Sequence, residues 1–230
     1  EANARAGLAN KLGARQAAGV GVAFDGTRLR GAKLVGMPLR REIVNLDREA
    51  LRDEAAQYFG LDADRQTLLV FGGSLGAQRL NEALAGSVQD LLAAGWQVIH
   101  VTGERSELAD PGLSGYALRR YVDRMDLAFA LADLIVARSG AATVSEISAL
   151  GIPAVYVPYA VGNGEQALNA ASAVAAGAAL LISDAEFTAD RVRSHVVPLL
   201  GNSAALAGSI VVSLRYSKAL GMRLLLSLDE

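Results

Sequence analysis

The chain has no cysteine, only two histidines and only five prolines in 230 residues. Without cysteine there is neither a disulfide scaffold nor a thiolate metal site, which fits a reducing compartment. Aromatic residues make up 5%, so rings do not build the core. Abundant Ala and Gly favour tight packing of helices on a sheet instead, and an apolar share of 52% argues against disorder. Neither sign of charge dominates. The formal net charge is −2 with acids and bases interspersed, which offers no face for nucleic acid. No run approaches the roughly 18 apolar residues of a transmembrane helix. The first residues, EANARAGLANKLGAR, have helical rather than signal-peptide character.

What is present is an alternation. From residue 67 onward, apolar runs alternate with helical patterns, which predicts a parallel α/β sheet with right-handed crossovers. The expected strands are Thr67–Phe71, Gln97–Thr102, Ala117–Val122, Leu134–Ala137, Ala154–Val157 and Ala179–Ile182. The expected helices are Ala77–Ala94, Asp126–Ala132, Ala142–Leu150, Glu165–Ala175 and Ala189–Leu200, with Gly151 and Gly177 as stops. Ahead of these, a helix over Arg48–Phe59 has Asp47 as its cap and Gly60 as its stop. Residues 1–36 offer one helix and two short strands (Gly21–Phe24 and Lys33–Val35), too few elements to bury a core alone. Pro38 then separates them from the rest of the chain. The expected division is therefore 1–36, the tail of a preceding domain; 37–47, a linker; and 48–205, the main domain. In 206–230, Leu206, Ile210, Leu214, Leu224 and Leu228 share a narrow arc at helical spacing. This predicts an amphipathic helix docked on the domain, with a membrane-surface helix as the alternative.

Three Gly-rich turns carry the chemistry. In FGGSLGAQRLNEAL (71–84) a strand ends at Gly72, Gly73 and Ser74, and a helix opens near Gly76. Glycines let the backbone approach a phosphate, and the free amides of the first helical turn are donors. In RSGAATVSEI (138–147) a second such turn puts the Ala141 amide and Glu146 on the same sheet edge. A carboxylate accepts from two adjacent ribose hydroxyls at once. In PYAVGNGEQALNA (158–170) a third turn precedes Glu165 and Gln166, which suit sugar hydroxyls. Each turn also suits an unliganded βα connection, with its Glu favoured by the helix dipole alone. The full GxGxxG spacing and the GxxxxGK[ST] loop are both absent. Of the histidines, His100 sits within a strand and His195 on a helix, and both read as structural. Asp62-Ala63-Asp64 precedes a strand, the wrong end for a ligand, and reads as a turn. No metal site is expected.

Taken together, these motifs resemble the MurG family. Its members are UDP-N-acetylglucosamine transferases that add GlcNAc to the undecaprenyl-diphosphate muramoyl-pentapeptide of peptidoglycan synthesis. The resemblance covers about residues 1–200. EANARAGLANKL resembles the family's HEQN-x-x-x-G-x-x-N stretch, VGMPLRRE its GxPxR linker, and FGGSLGAQRLNEAL its GGSxGA loop. RSGAATVSEISALGIPAVYVPYAVGNGEQALNA matches its donor-site signature almost continuously. The resemblance implies a GT-B fold of two Rossmann-like domains, inversion at the anomeric carbon, and no cofactor or bound metal. It assigns Glu146 to the ribose, the Val122 backbone to the uracil, Arg40 to the flank of the base and Met125 to its pocket. Ser74, with Gly72, Gly73 and Gly76, would meet the diphosphate. The Ala141 amide and Gln166 would meet the GlcNAc, and Asn3 would approach it from the other domain.

The departures carry expectations too. The family's GGTGGH loop is not in this sequence, the His of HEQN is missing, and Ala2 and Ala167 stand where Gln and Arg are usual. An inverting transfer needs a base at the acceptor hydroxyl, and no catalytic residue is identified here. The expectation is the donor-binding half of a hexosyltransferase, inactive alone, that binds UDP-GlcNAc. The lipid-linked acceptor would require the missing domain. By resemblance it would act in the cytoplasm, peripherally on the membrane's cytoplasmic face, in cell-wall biogenesis, cell shape, cell cycle and cell division. The alternatives are a non-catalytic UDP-sugar-binding module and another GT-B transferase or nucleotide-sugar epimerase.

Overall fold

Runs such as TLLVF and LIVA have no polar face to give to water, so they form strands buried on both sides. In the computed structural model, which describes residues 1–73, 77–159 and 163–200, six such strands lie in one parallel sheet. The chain opens with α1 (Leu8–Gly13), β1 (Val20–Val22), β2 (Ala32–Leu34), α2 (Arg41–Val44) and α3 (Arg52–Phe59). The sheet strands are β3 (Thr67–Phe71), β4 (Gln97–Val101), β5 (Tyr116–Arg119), β6 (Leu134–Ala137), β7 (Ala154–Tyr156) and β8 (Ala179–Leu181). Helices α4 (Gln78–Ala85) and α5 (Val88–Ala93) join β3 to β4. Between later strands run α6 (Met125–Leu131), α7 (Ala141–Leu150) and α8 (Glu165–Ala175). After β8 come α9 (Ala189–Arg191), one turn of π-helix (Val192–Val196) and α10 (Val197–Leu200).

Strand parity divides the interior into two cores. Leu69, Ile99, Ile135 and Tyr156 point to one face, under Ala55 and Phe59 of α3, Leu127 of α6, and Val144 and Ile147 of α7. Leu68, Val70, Val98, Val136 and Val155 point to the other, under Leu80 and Leu84 of α4, Leu91 of α5, and Phe187 and Val196. Each fully buried Leu or Ile contributes about 1.5–3 kcal/mol over an exposed one. A one-residue slip of register would exchange the two faces, so the pairings Leu69 with Ile99 and Leu69 with Ile135 are firmly specified.

Polar side chains fix the ends of the elements. Arg48 donates to the carbonyls of Phe129 and Ala132 at the end of α6. Arg52, four residues on, donates to Leu131 O at 3.2 Å and pairs with Asp133 at 3.1 Å. Asp133 in turn accepts the Thr67 amide at 2.8 Å, which sets the start of β3. Inside the second core, His100 is buried with Nδ1 2.7 Å from the Tyr116 hydroxyl and Nε2 3.1 Å from Asn81 Oδ1. Asn81 Nδ2 donates to Thr102 O at 2.8 Å, so its oxygen must accept from Nε2–H. Nδ1 then accepts from the tyrosine. The ring is the neutral tautomer, and burial pushes its pKa down to about 3.

Several boundaries differ from the sequence reading. The helix expected over 77–94 is two helices, because Gly86 ends α4 and the Ser87 hydroxyl turns back onto Ala83 O and Leu84 O. Asp47 does cap, but it caps a turn through its bond to the Ala50 amide, and α3 begins only at Arg52. The strand expected over 117–122 ends at Arg119. The helix expected over 189–200 is interrupted by the π-turn, where Arg193 Nε reaches Asp90 at 2.7 Å. Asp62 accepts the Asp64 amide at 2.9 Å in the turn read from the sequence. The amphipathic helix expected over 206–230 lies outside the described residues.

Candidate functional site

The strand order is β5-β4-β3-β6-β7-β8. The chain therefore leaves β3 toward one edge and returns to the other side of β3 at β6. The connections after these two strands diverge, and in an open parallel sheet that switch point is where a crevice forms. A cleft of about 810 Å³ lies there, lined by Gly72 and Gly73 after β3, Arg138 and Gly140 after β6, and Tyr159 and Gln166 around the start of α8. Thr143, Arg79 and Asp184 also line it. A smaller cavity of about 440 Å³, between α5 and residues 108–113, is reached by none of the glycine turns.

Local sequence explains the shape of the cleft. Gly73 has φ +98°, a conformation that side chains rarely adopt. A Cβ on Gly72 would overlap that of Ala77 and come within 3.0 Å of its amide nitrogen. The loop can therefore pass this close to α4 only as glycine. Ser74 and Gly76 lie outside the described residues, as do 160–162 in the third turn. At α7, Gly140 is extended (φ −61°, ψ 151°) and no side chain caps the helix. The first-turn amides, that of Ala141 foremost, thus have no partner within the helix, and the dipole adds positive potential there.

Glu146 sits five residues into α7 with its side chain 15% exposed. Its Oε1 accepts from Arg40 Nε at 3.3 Å and Nη2 at 3.1 Å. Oε2 makes no hydrogen bond among the described residues and remains an acceptor. Arg40 is 56% exposed, so the pair adds little to stability; its effect is to orient the carboxylate. Val122 is buried after β5, with both backbone polar groups unbonded among the described residues, and half-buried Met125 begins α6 against the first core. Gln166 Oε1 accepts the Tyr159 amide at 2.9 Å. Asn3 Oδ1 accepts from Asn169 Nδ2 at 3.2 Å.

The structure thus brings Gly72, Gly73 and Gln166 into one cleft beside Ala141, and pairs Arg40 with Glu146. It does not put Arg40, Glu146, Val122, Met125 or Asn3 on the walls of that cleft. Arg138, Asp184, Tyr159 and Asn169 escaped the sequence reading. Arg138 and Asp184 form an ion pair at 2.5 Å, and Tyr159 lies under the Arg138 guanidinium. Asn169, fully buried, bonds the Ala4 amide, Asn3 and Ser139 O. Its only sequence signal is a polar residue on the buried side of an Ala-rich helix. Ser139 Oγ is buried with no partner among the described residues. His195 is exposed and bonded to Ser194 and Arg191.

Comparison with known proteins gives concordant results. The family model described as the glycosyltransferase family 28 C-terminal domain matches residues 67–210. The UDP-N-acetylglucosamine–N-acetylmuramyl-(pentapeptide) pyrophosphoryl-undecaprenol N-acetylglucosamine transferase of Leifsonia xyli is 59% identical over 207 residues, 90% of this chain and 58% of that protein. The protein of the same name from Mycolicibacterium smegmatis is 50% identical, over 90% of this chain and 55% of its own length. The chain thus spans somewhat over half the length of these curated relatives. Among solved structures, Acinetobacter baumannii MurG superposes with a TM-score of 0.72 at 25% identity, over 96% of this chain and 64% of its own. A kitacinnamycin glycosyltransferase shares the fold, with a TM-score of 0.60 at 21% identity over 89% of this chain and 51% of its own. With its GT-B-type parallel sheet and this match over most of its length, the chain belongs to glycosyltransferase family 28.

Proposed function

We propose that this chain is the donor-binding half of an inverting transferase that moves GlcNAc from UDP-GlcNAc to undecaprenyl-diphosphate-linked muramoyl-pentapeptide in peptidoglycan synthesis. The observation that carries the proposal is Glu146, on the helix whose start is uncapped: Arg40 holds its Oε1, while Oε2 has no hydrogen bond among the described residues and remains an acceptor. A ribose diol needs such an acceptor. The glycine turns at Gly72–Gly73 and Gly140 suit the diphosphate, with Ser74 and Gly76 on the same loop. The Val122 backbone and Met125 take the uracil, Arg40 flanks it, and Ala141, Gln166 and Asn3 take the sugar. The names of the relatives support the substrate pair.

Residues 1–36 are assigned to the acceptor-binding half and 37–47 to the linker. The separate two-stranded β1–β2 sheet supports this division. A lipid-linked acceptor puts the work on the cytoplasmic face of the bacterial plasma membrane, and no helix among the described residues is long and apolar enough to cross it. With the acceptor base expected elsewhere, the 230-residue chain binds UDP and UDP-GlcNAc without turnover. Calorimetry at millimolar UDP, paired with a lipid-acceptor assay, tests both parts. Absence of heat refutes donor binding, and turnover refutes inactivity. Glu146→Ala is expected to weaken UDP binding by about 1–3 kcal/mol, the cost of an unpaired buried group; unchanged affinity points to a different nucleotide-sugar enzyme.

A further inference from the structure

Gln166 has a fixed orientation. The Tyr159 backbone N–H can only donate, so the side-chain atom facing it at 2.9 Å must be the amide oxygen. The amide NH2 is left as the group that Gln166 can offer to a ligand in the cleft it lines. Whatever holds Tyr159 therefore decides which end of Gln166 meets the ligand.

That element is Arg138. It lies after β6, on a different βα unit, and its side chain is 11% exposed. Nη1 donates to Val157 O at 3.0 Å and Pro158 O at 3.3 Å, the two residues before Tyr159. The guanidinium carbon stands 5.5 Å from the Tyr159 ring centroid, a cation–π distance. Asp184, after β8, holds the same nitrogen at 2.5 Å, and its second oxygen lies 3.6 Å from Arg79 Nε. One guanidinium nitrogen thus ties three strand ends together at the wall of the cleft.

Resting on the donor-site reading above, we propose that Arg138 is a positioning residue for the transferred hexose. Through Tyr159 it locks Gln166 with its NH2 toward the sugar, so that selection of the hexose depends on an arginine acting at one remove. A site built to hydrogen-bond a hydroxyl discriminates strongly against sugars that misplace it. Lysine can replace the polar contacts of one nitrogen only in part, because its ammonium has no flat face to lie over the Tyr159 ring.

The test is calorimetry on the full 230-residue chain with UDP and UDP-GlcNAc as separate ligands. Arg138→Met is expected to raise the Kd for UDP-GlcNAc about tenfold while the Kd for UDP changes less than about twofold, and Arg138→Lys to recover only part of the loss. In a Gln166→Ala background, Arg138→Met should then have no further effect, since coupled residues are not additive. Tyr159→Ala, at a residue 52% exposed, should reproduce the selective loss without risk to folding. Equal weakening of both ligands by Arg138→Met assigns the arginine to structure alone and overturns the proposal. So does an additive effect with Gln166→Ala, or an unchanged Kd for UDP-GlcNAc in Tyr159→Ala. Failure of the unmodified chain to bind UDP refutes instead the donor-site reading on which the proposal rests.

Discussion

At the scale of single residues, the second core contains one titratable ring whose protonation opposes folding. His100 is held neutral between Tyr116 and Asn81, and burial lowers its pKa to about 3. In the unfolded chain it titrates near 6.5. Between those values the unfolded state binds a proton that the folded state refuses. Stability is therefore fully present above about pH 6.5 and falls as the pH drops toward 3, by about 1.4 kcal/mol per unit at most. From pH 7 to pH 5 the ring's share of the loss is about 2 kcal/mol. Urea unfolding at both values checks this: His100→Gln should be less stable at pH 7 but lose about 2 kcal/mol less on acidification. An equal loss in both proteins removes His100 as the cause. The sequence placed this residue in a strand and assigned it no chemistry. Its partners, 16 and 19 residues away, could not be read from spacing.

At the scale of elements, the strands were readable because central parallel strands are apolar throughout, and β3 and β6 match the expected runs. Helix boundaries were less readable. Periodicity continues through Gly86–Ser87, and only the back-bonding of Ser87 shows that the helix stops there. The site divides along the same line. Glycine turns advertise themselves by composition, whereas Arg138 and Asp184 lie 46 residues apart in separate βα units and meet only because β8 lies beside β7, which lies beside β6. The turn after β3 makes its own prediction. Gly72→Ala forces a methyl group into Ala77, an overpacking that costs about 1–3 kcal/mol and displaces the loop. Gly95→Ala is the control: it has φ +96° but open space around the added carbon. Both variants should lower the thermal midpoint. Only Gly72→Ala should weaken UDP binding, about tenfold or more, and equal affinities would take the loop out of the donor site.

At the scale of the whole molecule, the question is how residues 1–36 relate to the sheet. They hold only a two-stranded parallel sheet of their own, and such sheets are stable only when covered. Ala23 and Phe24 pack into the first core, with Ala4 against it, and one buried side chain adds hydrogen bonds between residues 1–36 and the sheet domain. Asn169 on α8 accepts the Ala4 amide at 2.8 Å and donates to Asn3 Oδ1 and to Ser139 O, each at 3.2 Å. Arg5 adds a bond to Asn163 O beside the third glycine turn. The amide therefore couples the first residues to the turn between β6 and α7, where the proposed donor lies. Asn169→Ala takes a partner from the Ala4 amide, Asn3 Oδ1 and the buried Ser139 O, which costs about 1–3 kcal/mol for each group that water does not reach. Asn169→Asp keeps the acceptor for Ala4 but loses both donated bonds. Amide exchange should then separate the two links. Asn169→Ala is expected to speed exchange at Ala4 and across β1–β2, leaving β3 to β6 protected, while Asn169→Asp spares the Ala4 amide. Uniform acceleration over the whole sheet in Asn169→Ala would make the residue a general core contact, and unchanged exchange at Ala4 would leave the first residues held by something other than α8.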